Sequence, residues 1–145
     1  MPMELRPSTR DEGDTIRALL IACDLPVADF DTAAIEFTMA MDDQGLAGVV
    51  GLETFEATGL LRSLAVRPSA RASGTGSQLV QALEAQARAK GLERLVLLTQ
   101  TAESFFARRG YDVIERGAAP VAVQGSAEFR SICPASAVCM SKSLF

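Results

Sequence analysis

Along the chain the spacing of apolar positions changes several times, and each change marks an element. Residues 3–6 read as a short strand and residues 7–13 as the turn after it. Ile16, Leu19, Leu20 and Cys23 then recur at helical spacing, with Asp14 or residues 9–11 available as a cap and Leu25-Pro26 as the stop. Residues 27–34 form a turn or short helical piece. From Ile35 the period becomes two: Ile35, Phe37, Met39 and Met41 alternate with Glu36, Thr38, Ala40 and Asp42, as in a half-buried strand. Asp42-Asp43-Gln44-Gly45 is a hairpin turn, and residues 46–54 return as a second strand, in which Gly48 and Gly51 mark a bulge or a close approach. The apolar run 60–66 ends at Pro68. A helix with Val80, Leu83 and Ala87 on one side follows and reaches Lys90, where Gly91 is placed for a left-handed cap. Residues 94–99 are almost wholly apolar, as in a strand covered on both faces. Residues 102–109 read as a short helix ending at Gly110, 111–115 as a strand and 137–143 as the last strand. The stretch 117–134 is the least regular, with one helical turn at 127–129. This order predicts one α/β domain over residues 1–145, with a mixed, mostly antiparallel central sheet and helices on both faces.

Composition narrows the function. The chain is 145 residues long, 48% hydrophobic and 22% charged, as in an ordinary globular protein. A net charge of −4 argues against nucleic acid as the partner, since phosphate backbones require a basic face. No apolar run reaches the length of a membrane span, and residues 1–6 lack the features of a signal peptide, so no membrane association is expected. Cys23, Cys133 and Cys139 form no C-x-x-C pair and read as reduced thiols of a cytoplasmic protein. The chain contains no histidine. That excludes a histidine base, a Ser-His or Cys-His nucleophile and a histidine-ligated metal, and no metal is expected.

The most informative stretch joins the strand 60–66 to the helix after it: Arg71-Ala72-Ser73-Gly74-Thr75-Gly76-Ser77. The first N–H groups of a helix have no partners within it and carry the positive end of its dipole. Gly74 and Gly76 remove side chains that would keep a ligand from those groups, and a pyrophosphate fits such a place. The dinucleotide fingerprint G-x-G-x-x-G is absent, because Arg71 stands where its first glycine would be. The P-loop is absent as well, because Ser77 follows Gly76 where that motif has lysine.

What remains, R-x-x-G-x-G directly after a strand ending V-x-P, resembles the acyl-CoA turn of the GCN5-related N-acetyltransferase (GNAT) family. The order of elements matches that fold, residues 39–53 resemble the hairpin of its second and third strands, and the segment from Ala102 to Tyr111 resembles its next motif, a helix ending in an aromatic, three residues, glycine and another aromatic. The resemblance implies an acetyl-CoA-dependent N-acetyltransferase acting on a small amine. It further implies that the backbone of Leu64, Ala65 and Val66 pairs with pantetheine and polarises the thioester oxygen. Arg71 and the N–H groups of Ala72, Ser73, Gly74, Thr75, Gly76 and Ser77 would hold the pyrophosphate. Many members have tyrosine where this chain has Phe106, which cannot protonate a leaving thiolate. Tyr111 falls where the family places a core aromatic.

An amine acceptor must lose a proton, and Glu53 at the end of the second hairpin strand is the candidate to take it, ahead of Glu56 and Glu103. Arg62, a charge in an apolar strand, is costly unless paired or working. It reads, with Ser63, either as a cleft residue holding an oxyanion of the substrate or as the ion-pair partner of Glu53 or Glu56. Residues 98–111 also resemble the acetyltransferase part of N-acetylglutamate synthases. Residues 61–66, Glu128-Phe129, residues 132–137 and Met140 resemble the small GNAT proteins of arsenic-resistance operons, which implies an amino-acid-like or arsenical acceptor. The alternative, prompted by Phe106, is a catalytically degenerate acyl-CoA or metalloid binder on the same fold. A thiol-regulated interaction protein rests on the cysteines alone. A homodimer is compatible with the pattern.

Overall fold

The computed structural model of the protein describes residues 3–132 and 136–145, without the side chains of Ala72, Ser131 and Ile132. Its strands are β1 (Glu4–Pro7), β2 (Ile35–Asp42), β3 (Gly45–Phe55), β4 (Thr58–Val66), β5 (Arg94–Thr99), β6 (Asp112–Ile114) and β7 (Val138–Ser143). They form a seven-stranded sheet in the order β1-β2-β3-β4-β5-β7-β6. β4 and β5 pair in parallel and the other neighbours are antiparallel. The helices are α1 (Gly13–Ala22), α2 (Thr75–Ala89), α3 (Glu103–Ala107) and α4 (Val121–Gln124).

Local chemistry accounts for the boundaries. Glu12 accepts the Thr9 N–H at 2.8 Å ahead of α1 and pairs with Arg6, whose hydrogen bond holds the Glu12 carboxyl down at about 2. Gly45 turns the β2–β3 hairpin with φ +113°, a conformation open to glycine. The β2–β3 register shifts between Ala40 and Met41, opposite Gly48, and a Cβ on Gly51 would lie 2.7 Å from Ile35 Cγ2. The two strand glycines therefore mark a bulge and a close approach respectively. At the end of α2, Gly91 takes φ +81°. Its N–H reaches Arg88 C=O at 3.0 Å, and Leu92 N–H reaches Ala87 C=O at 3.0 Å, the pair of bonds that closes a Schellman cap.

Two expectations need correction. α3 spans Glu103–Ala107 rather than 102–109, because the chain turns at Gly110, where Tyr111 N–H bonds back to Phe106 C=O. As far as Ile132 the stretch expected to be irregular holds more helical structure than one turn. It holds a 3-10 turn at Arg116–Ala118, α4, and a π-helical turn at Glu128–Ile132 in place of one turn at 127–129.

Alternation along the strands divides the core between the two faces of the sheet. Val50, Leu52, Leu61, Leu95, Leu97 and Met140 pack on Leu79, Val80, Leu83 and Ala87 of α2, with Phe106 and Tyr111. On the other face, Met39, Val49 and Ala65 meet Ile16 and Leu20 of α1, while Leu60, Val96 and Cys139 meet Val123 of α4 and Phe129. Tyr111 is a core residue at 2% exposure, and its hydroxyl donates to Glu84 Oε2 at 2.8 Å. Lys142 Nζ donates to the same oxygen at 3.0 Å. Burial and the Glu84 charge push the phenol far above its ordinary range, which removes it as a proton donor at neutral pH. Tyr111→Phe is expected to cost about 1.5–3 kcal/mol, the range for a hydrogen bond to a charged group. Urea denaturation checks this, and a change below about 0.5 kcal/mol would show that Lys142 satisfies Glu84 by itself.

Candidate active site between the splayed strands

Pairing of β4 with β5 ends at Leu60↔Val96. Just beyond, β4 acquires one extra residue relative to β3: Gly51 faces Arg62, but Val49 faces Ala65. Ser63 sits in this bulge with φ +59°, a left-handed conformation that costs a non-glycine residue roughly 1–3 kcal/mol. A bulge bends and twists its strand, so the second half of β4 leaves β5 and the sheet opens as a wedge. Nothing in the sequence announces this bulge, since serine carries no preference for it.

Two adjoining cavities occupy the wedge. The larger, about 720 Å³, is lined by Leu64, Ala65 and Val66 on one side and by Arg71, Gly74, Gly76 and Ser77 at its end. The smaller, about 350 Å³, is lined by Arg62, Ser63, Thr99, Gln100, Phe106 and Glu128 among others. Cys23, Leu25, Leu64, Thr101 and Ala102 border both.

The larger cavity has the features of an anion site at a helix start. A 3-10 turn, Pro68–Ser73, leads to Gly74, whose φ of +81° reverses the chain into α2. No side chain caps this helix. Its first α-type bond runs from Gln78 N–H to Gly74 C=O, so the amides of Thr75, Gly76 and Ser77 precede the ladder. A Cβ on Gly74 would stand in open space, and one on Gly76 would approach the Phe105 ring at 3.4 Å. Thr75 is fully buried and braces the turn through Ala70 C=O at 3.3 Å, as the exposed Ser73 does through the same oxygen at 2.7 Å. Ala72 belongs to this turn. Arg71 is exposed; its Nε donates to Val66 C=O at 3.0 Å, and one of its terminal nitrogens lies 3.7 Å from Cys23 Sγ. Arg108 and Arg109 also line the cavity, and residue-by-residue reading missed them. Arg109 lies over the Phe105 ring at 3.6 Å and reaches Ser77 Oγ at 3.4 Å. Two adjacent arginines before Gly110 were the available signal. Three guanidinium groups at a helix N-terminus make this end of a net-negative chain locally positive.

The smaller cavity rests on an ion cluster. By register Arg62, Gly51, Glu53 and Leu60 share one face of the sheet. There Arg62, 3% exposed, places Nη1 and Nη2 each 2.7 Å from an Asp29 oxygen, and Nη1 also 3.0 Å from Glu53 Oε1. Burial works against the charge, but the Asp29 bond and the Glu128, Asp29 and Glu53 carboxylates outweigh it and hold the guanidinium above its ordinary range. The pairing of Arg62 with Glu53 left open in the sequence is thus present. Asp29, on the loop after α1, is the partner that sequence reading missed. Glu53 is not among the residues lining either cavity and is bound to Arg62 at 3.0 Å. Glu56 turns the β3–β4 hairpin with φ +56° and is exposed, as is Glu103. Phe106 closes the cavity as a buried hydrocarbon wall.

Cys139 is buried in the core, which pushes its thiol up, and Cys133 lies outside the described residues. Among the described residues no His, Cys, Asp or Glu side chains gather into a group able to hold a metal, and no helix is long and apolar enough to cross a membrane.

This geometry has relatives. The amino-acid acetyltransferase of Edwardsiella ictaluri is 37% identical over 81 residues, covering 54% of this chain and 18% of that protein. The Serratia proteamaculans enzyme of the same name is 34% identical over 91 residues, 61% of this chain and 21% of that one. The chain thus matches roughly a fifth of the length of these curated relatives. Among solved structures, N-acetylglutamate synthase of Neisseria gonorrhoeae with coenzyme A and N-acetyl-glutamate superposes with a TM-score of 0.80 at 22% identity, covering 100% of this chain and 36% of that one. A GNAT-family acetyltransferase of Staphylococcus aureus Mu50 gives 0.78 at 15% identity over 99% and 100% of the two chains. The family model for the acetyltransferase (GNAT) domain matches residues 33–113. With more than half of its length inside that model, the chain belongs to the GNAT acetyltransferase family.

Proposed function

We propose that this chain is a cytoplasmic N-acetyltransferase that moves the acetyl group of acetyl-CoA to the amino group of a small amino-acid-like compound. One observation carries the reading: an uncapped, glycine-bared helix start opens on a cleft along the backbone of β4, and that cleft adjoins a smaller cavity bordered by Arg62 and Ser63. The residues fit the donor. The amides around Gly74 to Ser77, with Arg71, Arg108 and Arg109, suit its pyrophosphate, and Leu64, Ala65 and Val66 border the path of its pantetheine arm. Acetyl-CoA supplies an activated acyl group, so the protein's task is to position an amine and polarise a carbonyl.

Arg62 can contribute to acceptor binding despite its ion pairs. Guanidinium has five N–H donors. Three point at Asp29 and Glu53, and Nε lies only 3.4 Å from Ser63 Oγ. Nε–H donates to Ser63 Oγ over this long distance, and an acceptor carboxylate that displaced the hydroxyl would meet the fork made by Nε–H and the outer Nη2–H. An amino-acid acceptor accords with the names of the curated relatives. An arsenical acceptor rests on the resemblance of residues 132–137 and their neighbours, of which 133–135 lie outside the described residues. Phe106 leaves the thiolate to depart without a tyrosine; a thiol's pKa of about 8.5 allows that. The same residue favours the second reading, a binder without turnover.

Calorimetry with coenzyme A, followed by thiol release across glutamate, phosphinothricin-like amino acids and aminophenyl arsenicals, separates these. Micromolar binding with turnover of an amino acid is the expected result. Binding without turnover would favour the degenerate protein, and no binding at hundreds of micromolar would sink both.

A further inference from the structure

The two cavities differ in the basic groups they offer. Arg71, Arg108 and Arg109 line the larger one, where the coenzyme's phosphates would engage them. Among the described residues Arg62 is the one basic side chain lining the smaller. Cys133, Pro134 and Ala135, like Met1 and Pro2, lie outside the described residues, and none of them has a basic side chain; nor have Ala72, Ser131 and Ile132. Asp24 and Glu128, the other lining residues of charged type, are acidic and add no cation.

Arg62 itself has little left to give. Its terminal nitrogens already meet both Asp29 oxygens at 2.7 Å and Glu53 Oε1 at 3.0 Å. An acceptor can claim the single edge of Nε–H and the outer Nη2–H, once it displaces Ser63 Oγ from Nε. That edge matches the two oxygens of one carboxylate. A second acceptor carboxylate would enter the cavity without a counter-charge, and burying an unpaired charge is costly.

The rest of the lining suits hydrocarbon. Leu25, Pro26, Leu64 and Leu98 border the cavity and are only half-buried, so part of their apolar surface is open to a ligand that would cover it. Leu61, Leu97 and Phe106 add buried hydrocarbon to the same lining. Covering such surface is favourable roughly in proportion to its area.

We propose that the acceptor is an α-amino acid with one carboxylate and an uncharged, apolar side chain, aliphatic or thioether; this rests on the acetyl-transfer reading above. Its α-carboxylate takes the Nε–Nη2 edge of Arg62, and its side chain lies against Leu25, Pro26, Leu64 and Leu98. Acidic amino acids belong to the disfavoured class, as do phosphinothricin-like ones, whose side chain carries an anionic phosphinate.

Thiol release with L-methionine, L-glutamine and L-glutamate as acceptors tests this, because glutamine has the shape of glutamate without its charge. For the wild-type protein kcat/KM should be at least about 100-fold higher for methionine than for glutamate, and at least about tenfold higher for glutamine than for glutamate. Gln100→Arg puts a guanidinium at an exposed position bordering the same cavity. It should raise the glutamate-to-methionine ratio of kcat/KM at least about tenfold. A smaller preference in either wild-type pair overturns the assignment, as does a ratio that fails to rise in a folded Gln100→Arg protein. Wild-type protein that binds coenzyme A but acetylates none of the three overturns it too. Wild-type protein that binds no coenzyme A fails at the earlier step and sinks the acetyl-transfer reading itself.

Discussion

Replacing Arg62 by alanine is expected to lower stability by about 3–5 kcal/mol, because Asp29 and Glu53 would remain buried without their cation. At 6% and 8% exposure neither carboxylate can recover its hydration without opening the fold. For a domain of this length the loss corresponds to roughly ten degrees in Tm. Arg62→Lys keeps the charge but loses the planar fork to Asp29, and should recover only part of the deficit. Denaturant titration of both variants makes the check. A loss below about 1 kcal/mol in R62A would mean that the cluster is solvated, as exposed pairs are, and that Arg62 is free to serve the acceptor with its whole guanidinium. The cluster also ties the loop after α1 to the middle of the sheet, so R62A should loosen one wall of the acceptor cavity together with the stability. Hydrogen exchange near Asp29 would report this directly.

Gly74→Val should weaken coenzyme A binding by at least about 100-fold, equivalent to the loss of one or two charge-assisted hydrogen bonds. The added side chain would enter the open space in front of the amides of Thr75, Gly76 and Ser77. Valine at φ +81° is also strained, at a cost of roughly 1–3 kcal/mol, so circular dichroism must accompany the calorimetry. Gly74→Ala separates the two effects, because one methyl carries the strain while filling much less of the anion's approach. Full affinity in a folded G74V protein would refute this turn as the pyrophosphate site.

Much of the fold was written in local pattern. Strict alternation at residues 35–42 identified β2, the apolar run 94–99 identified β5, and Gly45 and Gly91 punctuated the hairpin and the helix end through backbone conformations that suit glycine. The turn of Arg71 to Ser77 was legible for the same reason: a helix start stripped of side chains is a property of a few consecutive residues. Where the sequence misled was the irregular stretch after Gly117. Its helical turns are short, and Phe129 and Val123 hold them in place by contact with Leu60 and Val96, which lie far away along the chain.

The smaller cavity is built by long-range geometry. Asp29 and Arg62 are separated by thirty-three positions, and neither residue's neighbours reveal the other; only the sheet register and the loop after α1 bring them together. The same register set Glu53 against Arg62 as an ion-pair partner, and the fold of the stretch around Phe129 brought Glu128 to the smaller cavity. The bulge at Ser63 arises from pairing β4 with β3, not from any preference of serine. The sequence by itself determined the elements and the glycine-bared turn at the start of α2, because both depend on residues a few positions apart. The tertiary structure alone decided which charges are buried, which are paired and which line the smaller cavity, because electrostatic environment depends on distance through space and on exclusion of water.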